Sequence, residues 1–321
     1  MSAAVVGGWA ATDRQIFATV EIRHAGASGG FCSGTLVSPL VVVTAAHCAV
    51  VEPSPGVVRP SSPGSLRVAA GHLESLSVDD ANIRQVYEVR VHPDYDHDFI
   101  MGRSRDGAGQ GGIGSPNDIA LLILARAFDD VPIAPLLTRV REQALVRHGD
   151  IGFVAGYGVH DLDAGSTGEL YISDAVIDII GLRELLTTRI DPLGDSCYGD
   201  SGGPLYVPTD QGDFLVGLVS RGRSDVKRDC GDGGVYTLLS AHLSWIAAEA
   251  GAKFQPRLDP GGQEVSFLAE GADPISAPSR RALQRGDACV ASPIDRESDA
   301  PVSAFALLLS LAALRRRLSR R

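Results

Sequence analysis

Apolar and polar residues alternate in short segments through most of the chain. In residues 17–24, FATVEIRH, every second position is apolar, and this period of two predicts a half-buried strand. Its apolar face carries Ala18, Val20 and Ile22, and its polar face carries Thr19, Glu21 and Arg23. Residues 86–92, VYEVRVH, follow the same pattern and predict a second strand of this kind.

Further strand-length apolar segments are separated by clusters of Gly, Pro, Asp and Ser. They are LVVVTAA (40–46), IALLIL (119–124), IGFVAGYG (151–158) and FLVGLVS (214–220). Many short strands with frequent turn signals predict an all-β sandwich or barrel. The one convincing helical pattern is LLSAHLSWIAAEA, residues 238–250, which ends before Gly251.

The pattern changes after residue 250. Residues 251–300 are rich in Pro, Gly, Asp, Arg and Ser without periodicity, which predicts a linker or disordered stalk. Residues 301–321 contain thirteen uncharged residues, 302–314, followed by RRRLSRR. Thirteen is short of the roughly 20 residues that span a bilayer, yet an apolar segment before arginines is typical of membrane-directed tails. We expect this tail to retain the protein at a cell envelope.

Charge and cysteine content narrow the functional classes. The 321-residue chain has a formal net charge of −10, which argues against nucleic acid as the main partner. Its five cysteines include no CxxC pair, so two disulfides plus one leftover cysteine are expected in an oxidising compartment. The start, MSAAVVGGWA, lacks the charged and apolar regions of a signal peptide, so we expect a longer precursor.

Three motifs along the chain carry candidate chemistry: TAAHC (44–48), NDIALL (117–122) and GDSGGPL (199–205). A hydroxyl becomes a nucleophile when a neutral imidazole accepts its proton, and a buried carboxylate orients that imidazole. Ser201, His47 and Asp118 supply these three groups. The glycines beside Ser201 let the N–H groups of Gly199 and Ser201 approach a developing oxyanion. This chemistry requires no metal and no organic cofactor, and HPDYDHD (92–98) is predicted to be a polar loop rather than a metal site.

With these motifs the chain resembles the trypsin/chymotrypsin family of serine proteases over about residues 5–250. Further matching segments are VVGG (5–8), FCSGTLVSP (31–39), HPDYD (92–96), GVYT (234–237) and the helix containing Trp245. The resemblance implies an all-β fold of two six-stranded antiparallel barrels with the active site between them. It places the first barrel at about 5–130, the second at about 131–237 and a closing helix at 238–250.

The resemblance also implies two disulfides and a specificity pocket. Cys32 would pair with Cys48, and Cys197 with Cys230. Cys289 would then be left over, as either a processing or attachment point or a stray unpaired cysteine. Asp195, six residues before Ser201, would lie at the base of the pocket and accept the Arg or Lys of a substrate. The other pocket residues implied are Ser220, Gly222 and Gly234, with Tyr236 behind the pocket. The segment GRSDVKRDC (222–230) is longer than usual in the family, which leaves non-tryptic specificity as an alternative.

Asp200 would pair with a new amino terminus at Val5 once residues 1–4 are removed. In the family such cleavage usually follows Arg or Lys, whereas Ala4 precedes Val5 here, and Ser2–Ala4 have the small side chains of a signal-peptidase site. Calcium binding by Glu74, Asp79 and Asp80 stays open. The expected partners are protein or peptide substrates, protease inhibitors and, through the tail, a membrane. A second alternative is a protease-like binding module without activity.

Overall fold

The computed structural model describes residues 4–12, 18–103, 112–162, 165–188, 194–209, 212–224, 230–251, 253–258 and 264–269. The described strands are β1 Trp9–Ala10, β2 Thr19–His24, β3 Gly30–Ser38, β4 Val41–Thr44, β5 Val50–Ser54, β6 Val57–Pro60, β7 Leu66–Ala70, β8 Ile83–Val91, β9 Ala120–Leu124, β10 Ile151–Gly156, β11 Tyr171–Ile180, β12 Glu184–Thr188, β13 Pro204–Thr209, β14 Gly212–Gly222, β15 Gly234–Leu238, β16 Lys253–Leu258 and β17 Glu264–Ala269. The described α-helices are α1 Ala4–Gly7, α2 His97–Ile100, α3 Arg139–Leu145 and α4 Leu243–Ala250.

The first barrel closes in the order β2-β3-β4-β9-β8-β7, with antiparallel pairing throughout. Closure leaves no unpaired strand edge in the sheet. Its interior is filled mainly by β-branched and leucine side chains, including the fully buried Val20, Ile22, Leu36, Val42, Val68 and Leu122. A small hairpin, β5 with β6, lies outside this barrel sheet.

The second barrel runs β11-β10-β13-β14-β15-β12, and β12 pairs back with β11 to close it. The expected fold of two six-stranded antiparallel barrels is therefore confirmed. One boundary differs from the expectation, since we assigned residues from 5 onward to the first barrel. Strand β1 instead extends the second barrel, where Trp9 pairs with Ile172 and Ala10 with Tyr171. Two residues are too few to carry a periodic signal, so only the pairing reveals where they belong.

Strand β2 corrects the prediction of a half-buried strand. Its polar positions are also buried, with Thr19 and Glu21 at 0% exposure and Arg23 at 3%. The Arg23 guanidinium donates to the Glu21 carboxylate at 2.5 Å, and His72 and Ser75 donate to the same carboxylate. Paired charges can be buried where hydrogen bonds replace their hydration, so polar side chains in alternation do not always face solvent.

The region after the second barrel differs in two ways from the sequence prediction. The helix predicted at 238–250 is a 3₁₀ turn, Leu239–Ala241, followed by α4, which ends at Gly251 with a left-handed φ of 64°. Part of the predicted stalk forms a hairpin in which β16 pairs with β17, with Lys253 opposite Ala269. Cys289 and the apolar segment 302–314 lie outside the described residues. No described helix is long and apolar enough to cross a membrane.

Candidate active site

The pairing of β4 with β9 brings two of the three motif residues together. Thr44 at the end of β4 lies opposite Ala120 at the start of β9. His47 lies in the 3₁₀ turn Ala46–Cys48 just after β4, and Asp118 lies two residues before β9. In an antiparallel pair these positions share one end of the sheet, so the two side chains meet.

His47 is held by both oxygens of Asp118, one through its backbone and one through its ring. The His47 backbone N–H donates to Oδ1 at 3.0 Å, and Nδ1 lies 2.8 Å from Oδ2. Asp118 is 0% exposed, and its carboxylate accepts a hydrogen bond from Nδ1–H. It therefore favours the tautomer with the proton on Nδ1, in which Nε2 is an acceptor. Ser220 Oγ donates to Oδ2 at 2.7 Å, and Thr237 Oγ1 donates to the Asp118 carbonyl at 2.9 Å.

The two groups shift one another's pKa. Burial opposes the charged imidazolium, but the charge and hydrogen bond of Asp118 outweigh burial and raise the pKa of His47. Burial likewise opposes the Asp118 carboxylate, yet the His47 charge and the donors from His47 and Ser220 lower its pKa. The arrangement keeps Asp118 ionised and gives His47 a stronger affinity for a proton.

Ser201 lies on a tight loop that requires glycine on both sides. Gly199 has a φ of 93°, and a Cβ there would lie 2.8 Å from the Gly158 Cα. Gly202 has a φ of 78°, and its N–H donates to the Val219 carbonyl at 2.7 Å. The Ser201 carbonyl accepts from the Ser33 N–H at 2.9 Å, which ties the loop to the first barrel. Within the described part of the chain, the N–H groups of Gly199 and Ser201 donate to no protein acceptor.

Asp195 is completely buried and held by neutral donors. Thr187 Oγ1 donates to one carboxylate oxygen, and Tyr236 Oη and the Ser196 N–H donate to the other. Burial raises the pKa of Asp195, and these hydrogen bonds oppose the rise. Among the described residues, no basic side chain forms an ion pair with it. Gly222 lies opposite Gly234 on the neighbouring strands β14 and β15.

Asp200 is also buried, at 1% exposure, and accepts only from backbone. The Cys197 N–H donates to Oδ2 at 2.8 Å, and the Gly158 N–H donates to Oδ1 at 2.9 Å. Burial, with a smaller contribution from the Asp195 charge, raises the pKa of Asp200 to about 7. Val5 is 1% exposed, but no hydrogen bond or ion pair joins it to Asp200 in the described residues.

Both expected disulfides are present. Cys32 pairs with Cys48 across a Cα–Cα distance of 6.2 Å, and Cys197 pairs with Cys230 across 4.7 Å. The bond between Cys197 and Cys230 ties the loop that carries Asp195 and Asp200 to the chain just before β15. Within the described residues, the one compact group of metal-ligating side chains is Cys32, His47 and Cys48. Its two sulfurs are bonded to each other, so neither is a thiolate ligand.

Several residues of the site carry no motif signal. Thr187 holds Asp195, and Thr237 holds the Asp118 carbonyl. Arg221, between the predicted site residues Ser220 and Gly222, pairs with Glu184 at 2.6 Å. A charged residue directly after the apolar segment FLVGLVS is a signal that could have identified Arg221. Thr187 has no such signal, because only strand pairing brings it near Asp195. Residues 225–229 of the long segment 222–230 lie outside the described residues.

Comparison with known proteins agrees with this geometry. The family model described as Trypsin matches residues 5–246. Trypsin-1 of Astacus astacus is 29% identical over 241 residues, which cover 70% of this chain and 90% of that protein. Trypsin Tyr p 3.0101 of Tyrophagus putrescentiae is 27% identical over 77% of this chain and 80% of its own length. Proclotting enzyme of Tachypleus tridentatus is 29% identical, and the match covers 71% of this chain and 60% of that protein. The chain belongs to the trypsin family of serine proteases.

Proposed function

We propose that the protein is a serine endopeptidase that cleaves peptide bonds after Arg or Lys through an acyl-enzyme intermediate. The observation that carries the proposal is Asp195, a buried carboxylate with neutral donors and no basic partner among the described residues. An unpaired buried charge is costly, and a substrate guanidinium or ammonium would supply the missing cation. The paired positions Gly222 of β14 and Gly234 of β15 carry no side chain.

The hydrogen bonds of His47 to Asp118 leave Nε2 to accept a proton, although no hydrogen bond joins Nε2 to Ser201 Oγ among the described residues. Ser201 Oγ attacks the scissile carbonyl carbon while its proton passes to His47 Nε2, and the N–H groups of Gly199 and Ser201 donate to the resulting oxyanion. His47 then gives the proton to the leaving amine as the C–N bond breaks. In the second half, water attacks the acyl carbon and gives a proton to His47. His47 then gives this proton to Ser201 Oγ as the bond between Oγ and the acyl carbon breaks. Asp118 holds the ring and stabilises the imidazolium in both halves of the reaction.

The specificity can be tested with peptide amides that end in Arg, Lys, Phe or Glu. We expect hydrolysis after Arg and Lys, and no hydrolysis by Ser201→Ala. Asp195→Ser should abolish the basic preference without abolishing acylation, because Asp195 does not touch the reacting atoms. An Arg preference unchanged by Asp195→Ser would contradict the pocket assignment. Preference for Phe or Glu would support non-tryptic specificity, and no turnover by processed enzyme would support a binding module.

Activation is proposed to follow cleavage between Ala4 and Val5. The Val5 side chain is already buried, and its φ of 33° is left-handed, which β-branched residues rarely adopt. Cleavage would release this backbone and create an ammonium that can pair with the buried Asp200 carboxylate. We expect a chain beginning at Val5 to be active and the chain with residues 1–4 to be nearly inactive. Amino-terminal sequencing of native active enzyme should therefore give VVGG, and an active mature chain beginning at Met1 would contradict the proposal.

The proposed location is extracellular or at the cell envelope. Two disulfides favour an oxidising compartment, and one relative bears the name proclotting enzyme. Protein substrates and protease inhibitors are the partners that fit a protease there. Deletion of 301–321 followed by cell fractionation tests retention by the tail. We expect the deleted form to move from the membrane fraction to the medium, and an unchanged distribution would contradict retention.

A further inference from the structure

A buried ion pair lies directly beside the Asp118–His47 pair. Arg221 donates to both oxygens of Glu184, from Nη1 to Oε1 at 2.6 Å and from Nη2 to Oε2 at 2.9 Å. The side chains are 8% and 1% exposed. The Arg221 guanidinium also lies over the Phe99 ring, 5.1 Å from its centroid. A bidentate hydrogen-bonded ion pair of this kind fixes both side chains in one orientation.

The same pair holds the segment that leads into Asp118. Arg221 Nη2 donates to the Gly112 carbonyl at 2.8 Å, and the Gly114 N–H donates to Glu184 Oε2 at 2.6 Å. Arg183, next to Glu184 in the chain, donates to Asn117 Oδ1 at 2.7 Å. Asn117 itself has a left-handed φ of 50°. Two backbone contacts and one contact to the Asn117 side chain therefore hold the six residues before Asp118.

A second connection runs through Ser220. Arg221 Nη1 donates to Ser220 Oγ at 3.2 Å, and Ser220 Oγ donates to Asp118 Oδ2 at 2.7 Å. A guanidinium has no acceptor, so it can only donate to the hydroxyl. The Ser220 proton is therefore directed away from Arg221 and toward Asp118. A third connection comes from strand β15, where Thr237 pairs with Glu184 of β12. The Thr237 hydroxyl donates to the Asp118 carbonyl.

We propose that Arg221 and Glu184 are a positioning pair for the catalytic Asp118, acting through Ser220 and the segment 112–117. This inference rests on the proposed protease function. The Arg221 charge lowers the pKa of His47 against the larger, opposite effect of Asp118, and Glu184 is the counter-charge of Arg221. Among the described residues, the charged groups around the pair and the triad include Asp118, Glu184, Arg183 and Arg221, and the titratable groups that interact with their charges include Tyr95 and His92. Removing either member of the pair should therefore move the protonation of His47 in a direction set by the charge removed.

The test uses processed enzyme and an amide substrate, with kcat and kcat/KM measured between pH 5 and pH 9. Arg221→Met should lower kcat about tenfold at little change in KM, and should move the acid limb of kcat/KM up by about half a pH unit. Glu184→Gln should move the acid limb down by a similar amount, because the Arg221 charge is then unopposed. Arg221→Lys should keep the acid limb near that of the wild type, because the positive charge is retained. It should still lower kcat, because an ammonium cannot form the bidentate pair with Glu184.

The matched control is Arg139→Met, which removes another arginine bound to a glutamate, at 2.9 Å from Glu142. It should leave both kcat and the acid limb unchanged. Acid limbs that do not move, or that move the same way in Arg221→Met and Glu184→Gln, would overturn the inference. An NMR titration of the His47 ring gives the same shifts without substrate. If the wild type proves inactive, the proposed function fails, while opposite NMR shifts would still support the pair.

Discussion

Thr187 holds the buried Asp195 carboxylate through its only side-chain hydroxyl. Thr187→Val keeps the shape but removes this donor, which should raise the pKa of Asp195 further and weaken its pairing with a substrate cation. Because the loss of a hydrogen bond to a buried charged group costs about 1–3 kcal/mol, we expect KM for an Arg amide to rise about tenfold at pH 7. The rise in KM should shrink as the pH increases, because alkaline pH favours the ionised carboxylate.

Thr35→Val provides the matched control for this substitution. Thr35 is 0% exposed, and its hydroxyl has no hydrogen-bond partner in the described part of the chain. Its replacement should leave KM unchanged and should not lower stability. An Arg amide KM that is the same in Thr187→Val and in the wild type at pH 7 would contradict the role given to Thr187.

Gly202, beside the proposed nucleophile Ser201, leaves no room for a side chain. A Cβ there would lie 2.0 Å from Thr44 Oγ1 and 2.5 Å from the Ser33 carbonyl oxygen, and its φ is 78°. Gly202→Ala should therefore shift Ser201 and lower kcat at least 100-fold, with a loss of stability of about 1–3 kcal/mol. Gly149→Ala is the control, since its φ is 87° but no atom lies within 4 Å of its Cβ position. It should lose some stability in urea denaturation while keeping kcat, and equal kcat losses would contradict the steric argument.

At the scale of the element, β2 shows where a sequence pattern misleads. Alternation in residues 17–24 correctly predicts a strand, because period two reflects the backbone geometry of one segment. It does not reveal burial of the polar face, because Glu21 forms an ion pair with Arg23 on its own strand and accepts hydrogen bonds from His72 and Ser75, more than 50 residues away. The motif residues were predictable because their chemistry is local in sequence. Thr187 and Glu184 were not, since strand pairing alone brings them to the site.

The buried Glu21 predicts a pH dependence of stability. Burial would raise its pKa, but donors from His72, Ser75 and Arg23 outweigh burial and lower it. A lowered carboxyl pKa contributes stability above the unfolded value of about 4.5, and this contribution is lost as pH falls through the folded value. The wild type should therefore lose stability in urea below about pH 4.5.

Glu21→Gln should be about 3–5 kcal/mol less stable at pH 7, because it leaves Arg23 buried without its carboxylate partner. The stability of this variant should also fall less on acidification than that of the wild type. An unchanged acid dependence would contradict this assignment.

At the scale of the whole molecule, the candidate site depends on contacts between the two barrels. The Ser33 N–H of β3 holds the Ser201 carbonyl, and Thr237 of β15 holds the Asp118 carbonyl. Ser33 Oγ also donates to the Gly199 carbonyl at 3.1 Å. The first barrel thus supplies His47 and Asp118, the second supplies Ser201, and each supports a proposed catalytic residue of the other. Two-barrel architecture follows from the strand pattern and the resemblance, whereas these cross-contacts emerge only from the fold.

Asp200 links the proposed activation to stability. With residues 1–4 in place, its folded pKa of about 7 exceeds the ordinary value of 3.8, so the folded state holds a proton that the unfolded chain has lost. Stability should therefore fall as pH rises from about 4 to about 7, by up to about 4 kcal/mol from this group. Asp200→Asn should remove that slope. A chain beginning at Val5 should also lose it, because the new ammonium stabilises the carboxylate and lowers its pKa. Urea denaturation at pH 5 and pH 7.5 compares the chain with residues 1–4, Asp200→Asn and the chain beginning at Val5. An equal dependence of stability on pH in the chains with and without residues 1–4 would contradict the pairing of Val5 with Asp200.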